Sequence, residues 1–296
     1  MESNFEVLET LEGIISLASR GLQKKIKLQE RFHIMKRLGE GGFGSVLLAK
    51  EKTTDKKMAL KMMERATTNK RKFLMEFGIS AYLSSHPNIV QSYDMIFKTE
   101  EYFIFSQEVA PLGDLFDFIL PDLGLTEGTV KNCMVQISDA LHFMAEKEIV
   151  HMDLKPENVL VFERNCQRLK VTDFGLARIK GTIIRGQSGT IFYKAPELCQ
   201  LTGNEELFVD SSIDVWALGV MMICLMTGEF PWEKATLEDP NFKSFVDWQS
   251  HSKYDDPPAP WDELSSSALS VCRNLLAIDP HHRCDTSDLW LLMEEL

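Results

Sequence analysis

Within a single 25-residue stretch, 151–175, the 296-residue chain gathers groups suited to moving a phosphoryl group. His151-Met-Asp153-Leu-Lys155-Pro-Glu-Asn158 is followed by Val171-Thr-Asp173-Phe-Gly175. Phosphoryl transfer calls for a carboxylate that orients the incoming hydroxyl and accepts its proton. It also calls for oxygen ligands that hold Mg²⁺ against the β and γ phosphates. Asp153 suits the first task, and Asn158 and Asp173 suit the second. The transition state is loose and its charge sits on the phosphoryl oxygens, so Lys61 and Lys155 are the expected cationic stabilisers. Five such residues in this order and spacing do not arise from composition.

Two segments further upstream acquire meaning from this one. Met58-Ala-Leu-Lys61 ends a predicted strand, and a lysine pointing inward there needs a charged partner to offset desolvation. Glu76, within Phe73-Leu-Met-Glu-Phe, can supply it; taken alone, Lys61 reads more readily as a solvated lysine, and the downstream motifs reverse that. Gly39-Glu-Gly41-Gly-Phe-Gly44-Ser-Val46 is a glycine-rich loop whose amides can cover phosphates closely because no side chain intervenes. By itself that spacing also fits a plain tight hairpin or a dinucleotide-binding loop. In the dinucleotide fold a helix opens at the third glycine. Here Val46-Leu-Leu-Ala continues as a strand, which makes the loop a hairpin flap.

The elements that must position these groups follow from periodicity. Val46–Ala49, Met58–Met62 and Phe103–Phe105 read as strands, with one helix, Lys72–Ser84, between them. After Leu115 helical patterns dominate: Val130–Glu146, Val215–Met226, Phe242–Gln249, Leu264–Ala277 and Thr286–Glu295. The chain is therefore α+β, with a strand-rich first lobe, a helical second lobe and a linker near Glu108–Gly113. Ahead of them, residues 5–28 place apolar side chains at helical spacing, with glutamates early and basic residues late, as a helix dipole favours. Gly13 and Gly21 each cost about 1 kcal/mol relative to Ala in a helix interior, so one rod and several pieces are both open. So are two roles, a helix packed on the neighbouring lobe or a regulatory, dimerising segment.

Composition narrows the partners. A formal charge of −12 argues against nucleic acid and anionic membranes and favours locally basic peptides. Six cysteines without a C-x-x-C pair suggest neither zinc nor a disulfide framework, and imply a reducing, intracellular setting. The opening Met1-Glu2-Ser3 has no apolar signal core, and the longest apolar run, Val215–Met226, is too short to span a bilayer. A soluble, cytoplasmic protein is expected.

With these motifs in place, residues 32–296 resemble the eukaryotic protein kinases. Ala195-Pro-Glu197, Asp214-Val-Trp-Ala-Leu-Gly219 and Arg283 stand where that family ends its activation segment, braces its catalytic loop, and pairs an arginine with the glutamate. The resemblance implies a bilobal fold: a small antiparallel-sheet N-lobe (about 32–107) with one helix, a hinge (about 108–113) and a larger helical C-lobe (about 114–296), preceded by an extension over 1–31. It implies ATP and Mg²⁺ as cofactors and protein serine or threonine hydroxyls as acceptors. It also implies catalytic roles for Asp153, Lys155, Lys61, Glu76 and Thr190, and metal ligation by Asn158 and Asp173. Nucleotide contacts are expected from Leu38, Gly39, Glu40, Gly41, Gly42, Phe43, Gly44, Ser45 and Val46 in the flap, and from Ala59, Lys61, Gln107, Glu108, Ala110, Asp114 and Leu160 around the adenine and ribose. Lys155 together with Gly189-Thr190 resembles the serine/threonine branch, and Leu176 after Asp-Phe-Gly resembles serine-preferring members.

More narrowly, Glu108-Val-Ala-Pro-Leu-Gly-Asp-Leu-Phe116, Pro121-Asp-Leu-Gly-Leu125 and Phe230-Pro-Trp-Glu resemble the Src-homology-3-binding kinase subfamily. The tail to Leu296 has no long proline-rich segment, and Pro257-Pro-Ala-Pro260 reads as a loop, so an SH3-type partner is not expected from this chain. Three departures matter. Met152 stands where loop-phosphorylated kinases carry an arginine, and Gly186 stands at the usual phosphate-bearing position, so independence from loop phosphorylation is expected. Ser80 and Ser92 replace apolar residues of the family's hydrophobic spine, beside Gln107 as gatekeeper; a loosely held helix and modest activity are expected, with an ATP-binding pseudokinase scaffold as the alternative. Asp114 and Glu157 match two acidic positions that grip arginines upstream of the acceptor, but Cys224 replaces the third.

Overall fold

A computed structural model describes residues 2–22, 25–41, 44–186, 189–201, 205–250 and 256–296, with side chains from residue 9 onward. The first lobe is an antiparallel sheet of β1 (Phe32–Gly41), β2 (Gly44–Glu51), β3 (Lys57–Glu64), β4 (Ser92–Lys98) and β5 (Tyr102–Gln107). The strands run in the order β1-β2-β3-β5-β4. β3 is buried at every position from Met58 to Met63, as a central strand covered on both faces must be. Its even positions, Met58, Leu60 and Met62, pack with Phe32, Phe97 and Ile104 on the outer face. Ala59, Lys61 and Met63 fall on the other face, because side chains alternate across a strand. Lys61 therefore faces inward between Val46 of β2 and Phe105 of β5.

Three helices flank this sheet in sequence: α1 (Glu2–Gly21), α2 (Leu28–Arg31) and α3 (Lys70–Leu83). The side chain of Asn69 caps α3 by accepting from Arg71 N at 2.7 Å. α1 is one rod through Gly13, held by burial of an apolar stripe. Ala18 and Leu22 share a cluster with Phe73, Leu74 and Phe77 of α3 and with Phe103 and Phe105 of β5. Glu12 pairs with Arg71 at 3.0 Å along the rim.

The second lobe is built on α4 (Glu127–Glu146), the four-residue α5 (Pro196–Cys199), α6 (Ser212–Thr227), α7 (Pro240–Ser250), α8 (Ser266–Leu275) and α9 (Leu289–Glu294). Every residue of α6 from Ile213 to Leu225 is buried, and apart from Asp214 near its start the stretch is apolar all round. Trp216, Trp232, Phe242, Phe245 and Trp261 pack against one another beside it. Three short antiparallel pairs carry the site: β6 (Ile149–Val150) with β9 (Arg178–Ile179), β7 (Val159–Glu163) with β8 (Arg168–Val171), and β10 (Ile183–Arg185) with β11 (Glu206–Phe208). Among the described residues no helix is long and apolar enough to cross a membrane. All six cysteines are free thiols.

The predicted elements are present with longer or shorter ends. The helix expected over Lys72–Ser84 is Lys70–Leu83, and that over Leu264–Ala277 is Ser266–Leu275. β1 and β4 escape periodicity: nine of the ten β1 residues are exposed, and β4 has a register break between Ser92 and Ile96. Neither presents a clean alternation to read.

Candidate active site

The interlobe cleft encloses about 410 Å³. Its walls include Leu38, Gly39, Glu40, Gly41, Gly44, Val46, Ala59, Lys61, Gln107, Glu108, Ala110, Asp114, Asn158, Leu160 and Asp173, all expected from the sequence. Ser45 is not among the lining residues; it sits in the ladder opposite Glu40 and Met62. Gly42 and Phe43 lie outside the described residues. Val90 and Thr172 also line the cleft and were not singled out, because they come from strand ends without a chemical signature; Glu157, singled out for arginine recognition rather than for the nucleotide, lines it too. Gly44 is irreplaceable on steric grounds: its φ is +126°, and an added Cβ would stand 1.9 Å from the Met62 carbonyl oxygen.

On the roof, Lys61 Nζ lies 2.5 Å from Glu76 Oε1 and 2.9 Å from Asp173 Oδ1. The Lys61 and Glu76 side chains are 9% and 1% exposed, so this is the buried pair that an inward lysine demands. Burial works against the Lys61 charge, but Glu76 and Asp173 outweigh it and raise its pKa. Asp173 is held below its usual range because Lys61 and the Gly175 N–H overcome its own burial. Its backbone takes the left-handed conformation, φ 64° and ψ 75°, and its Oδ1 accepts from Gly175 N at 3.2 Å. Burial and the nearby Asp117 push Asp114 up.

On the floor, Asp153 is held from several sides. Its Oδ1 accepts from Thr190 N at 2.8 Å and from Thr190 Oγ1 at 2.9 Å. Lys155 Nζ lies 3.0 Å from Asp153 Oδ2 and donates to Thr190 Oγ1 at 2.7 Å. Asn158 Nδ2 donates to the Asp153 carbonyl at 2.8 Å. The loop itself hangs from Asp214, whose carboxylate accepts from His151 N at 2.6 Å and Met152 N at 2.9 Å. Burial raises the Asp214 pKa, partly countered by His151 and those two N–H groups. The partners of His151 assign its tautomer: Nε2 donates to Thr172 O at 2.9 Å, and Nδ1 accepts from Asp153 N at 3.3 Å.

Behind the cleft the polar trio meets. Ser80 Oγ and Ser92 Oγ are 2.5 Å apart, and Gln107 Nε2 donates to them at 3.2 and 3.5 Å. Their hydrogen bonds satisfy one another, as buried polar groups must be. One contact was not read from the sequence: the Glu108 side chain turns from the cleft edge to Lys170, at 2.5 Å, and accepts from Gln91 N at 2.7 Å. That pairing depends on strand register, which leaves no local signal.

The segment after Asp173 packs against the second lobe through apolar contacts and a short ladder. Met152 is buried in an apolar cluster with Val150, Leu198, Leu201, Val209 and Ile213, against which Leu176, Ile184 and Leu207 pack. β10 and β11 add a ladder, Ile183 opposite Phe208 and Arg185 opposite Glu206, and Arg185 forms an ion pair with Glu206. Glu197 receives two hydrogen bonds from Arg283, at 2.6 and 2.8 Å.

Comparison with known proteins agrees with this geometry. Residues 32–291 match the protein kinase domain family. The chain is 40% identical over 282 residues to serine/threonine-protein kinase SBK1 of Danio rerio, covering 95% of this chain and 73% of that protein. It is 42% identical over 265 residues to SBK1 of Mus musculus, covering 90% of this chain and 63% of that protein. Similarity to serine/threonine-protein kinase SBK2 of Rattus norvegicus is 38% over 285 residues, covering 96% and 78% respectively. The bilobal α+β fold, the paired Lys61 and Glu76 and these relatives together establish that the chain belongs to the protein kinase family, among its serine/threonine kinases.

Proposed function

We propose that this chain transfers the γ-phosphoryl group of ATP to serine and threonine hydroxyls of other proteins, with Asp153 as the base. The observation that carries this reading is the Asp153 carboxylate, fixed by Thr190 and Lys155 at 2.8 to 3.0 Å. A carboxylate so held is pre-set to receive a hydroxyl proton rather than to search for it. Lys155 stands beside it to balance charge on the transferred group.

The cleft suits a nucleotide. Its volume and its apolar walls at Val46, Ala59 and Leu160 match a flat heterocycle, and Lys61 offers a cation for phosphate oxygens. Asn158 Oδ1 and Asp173 Oδ2 make no hydrogen bond among the described residues, and both are hard oxygen donors of the kind Mg²⁺ takes. When bound, Mg²⁺·ATP supplies the phosphoryl group and neutralises charge on its oxygens. Glu76 keeps Lys61 aimed into the cleft, and Asp214 keeps the catalytic loop in place.

Activity in this reading does not wait for activation-loop phosphorylation. The Met152 cluster and the β10–β11 ladder stand where an arginine and a phosphate would otherwise hold the segment. Asp114 and Glu157, both on the cleft edge, favour arginine or lysine upstream of the acceptor.

A second reading, an ATP-binding scaffold without turnover, is favoured by the hydroxyl and amide groups of Ser80, Ser92 and Gln107 where apolar packing would steady α3. The two separate by Mg²⁺-dependent transfer of labelled phosphate from ATP to a degenerate serine/threonine peptide pool. Transfer by the chain and a loss of at least about 10³-fold in Asp153→Asn is expected. ATP binding with no transfer by either protein would establish the scaffold.

A further inference from the structure

Glu76 meets Lys61 on the cleft side of α3, and what steadies it there lies on the far side of the same helix. Residues two apart on a helix point about 200° from each other, so Gly78 is turned away from the cleft. α1 lies across that far side. Gly78 has no side chain, and a Cβ built there would stand 3.5 Å from Ile15 Cγ1 and 3.6 Å from Ile14 Cγ2, so the two helices touch two residues from the glutamate. Toward the start of α3, Ala18 and Leu22 of α1 pack with Phe73, Leu74 and Phe77. Toward its end, Leu11 enters the apolar cluster that takes in Ile79 and Leu83. α1 therefore runs antiparallel to α3 and supports most of its length.

That support is anchored to the sheet. Where the chain leaves α1, Ile26 N donates to Lys98 O at 3.0 Å, and Lys25 forms an ion pair with Glu100. A Cβ at Gly21 would stand 3.3 Å from Ile96 Cγ2, so the end of α1 rests on β4. α3 is thus tied to the sheet on two sides, in front through Lys61 and Glu76, and behind through α1. Its cleft side has hydroxyl and amide neighbours at Ser80, Ser92 and Gln107, which leaves α1 to supply apolar packing beside Gly78. The fit around Glu76 is close as well: a Cβ at Gly175 would stand 3.0 Å from Glu76 Oε2. A small displacement of α3 would be felt at both Lys61 and the Asp173-Phe-Gly175 turn.

We propose that Ile14 and Ile15 of α1 are positioning residues for phosphoryl transfer: resting on Gly78, they hold α3 at the depth where Glu76 keeps Lys61 aimed into the cleft. The inference rests on the phosphotransferase reading above. α1 lies outside residues 32–291, the span that matches the protein kinase domain, so this support is supplied by the extension and not by the domain itself. Neither isoleucine reaches the cleft, and each acts only through the helix it touches.

Ile14→Ala combined with Ile15→Ala trims the contact and keeps α1 helical, since alanine is the best helix former. Transfer to a serine peptide is measured as kcat and KM with this change made in the wild-type chain and in Glu76→Gln. In the wild-type chain kcat is expected to fall by about fivefold or more, with peptide KM within about twofold. In Glu76→Gln the same change should move kcat by less than about twofold, because the pair through which α1 acts is already broken. Ile14→Val with Ile15→Val should keep kcat within about twofold of wild type. An equal fall in both backgrounds would show that α1 serves the fold as a whole, and an undiminished kcat in the wild-type chain would show that it does not set α3; either overturns the inference. Amide hydrogen exchange reads the helix without transfer: α3 amides should exchange about tenfold faster or more in the alanine variant while those of α4 keep their rates. Acceleration in both helices, or in neither, would also overturn it. Gly78→Ala tests the opposite sign, since its Cβ finds ordinary contact distances and alanine favours a helix. It should slow α3 exchange and leave kcat at or above wild type, and a lower kcat with faster α3 exchange would contradict the account. Absence of transfer by the wild-type chain would instead remove the phosphotransferase reading and this inference with it.

Discussion

The Ser80 and Ser92 hydroxyls, 2.5 Å apart, and the Gln107 amide fill the space behind Lys61 with hydrogen bonds where aliphatic contacts would give α3 broader support. Ser80→Leu combined with Ser92→Leu is expected to raise turnover several-fold, read as kcat at saturating ATP and peptide; unchanged turnover would detach the trio from control of α3. Asp173 carries a sign of its own. Its folded pKa lies below the ordinary 3.8, so its pairing with Lys61 stabilises the fold above that value and is lost as pH falls through the depressed folded value. In the neutral range it stays ionised, ready for a cation. The candidate site was the most legible part of the sequence as a pattern, because residue types suited to phosphoryl transfer stand close together at 153, 155, 158 and 173. The pairing of Glu108 with Lys170 was not legible, because it depends on strand register.

α1 covers the back of α3, the helix that carries Glu76. Leu11 is 1% exposed, and Ala18 and Leu22 share their cluster with Phe73 and Phe77. Leu11→Ala should therefore cost about 2–5 kcal/mol, seen as a lower denaturant midpoint at unchanged slope. An effect under about 0.5 kcal/mol would mean that α1 is only loosely applied. The amphipathic stripe over residues 5–28 made this helix readable, but not its partner, since many apolar surfaces suit one stripe. β10 and β11 mark the opposite limit. Each has three residues, far too few for a period, and they find each other across the whole of residues 186–205. Their ladder belongs to tertiary structure and left only Gly186 and Met152 as hints, through what those residues cannot do.

At the scale of the molecule, two lobes of different secondary structure close on one cleft, and the functional groups are divided between them. Lys61 and Glu76 come from the sheet lobe and Asp153, Lys155, Asn158 and Asp173 from the helical lobe. The ion pair between Lys61 and Asp173, 2.9 Å long, joins the two. The net charge of −12 is the whole-molecule property from which a basic substrate segment is expected. The shift from strand to helix pattern after Leu115 was enough to see the bilobal plan, whereas the closure of the lobes depends on contacts more than 100 residues apart in the chain. The central claim is an active kinase whose activation segment is held by apolar packing and a strand ladder. The most direct measurement is single-turnover transfer from Mg²⁺·ATP by protein treated with phosphatase and verified phosphate-free by intact mass. Transfer to serine peptides at the rate of the untreated protein, with none from Asp153→Asn, is the predicted result. Transfer that appears only after a phosphate is placed on the activation segment, at Thr182 or Ser188, would contradict it.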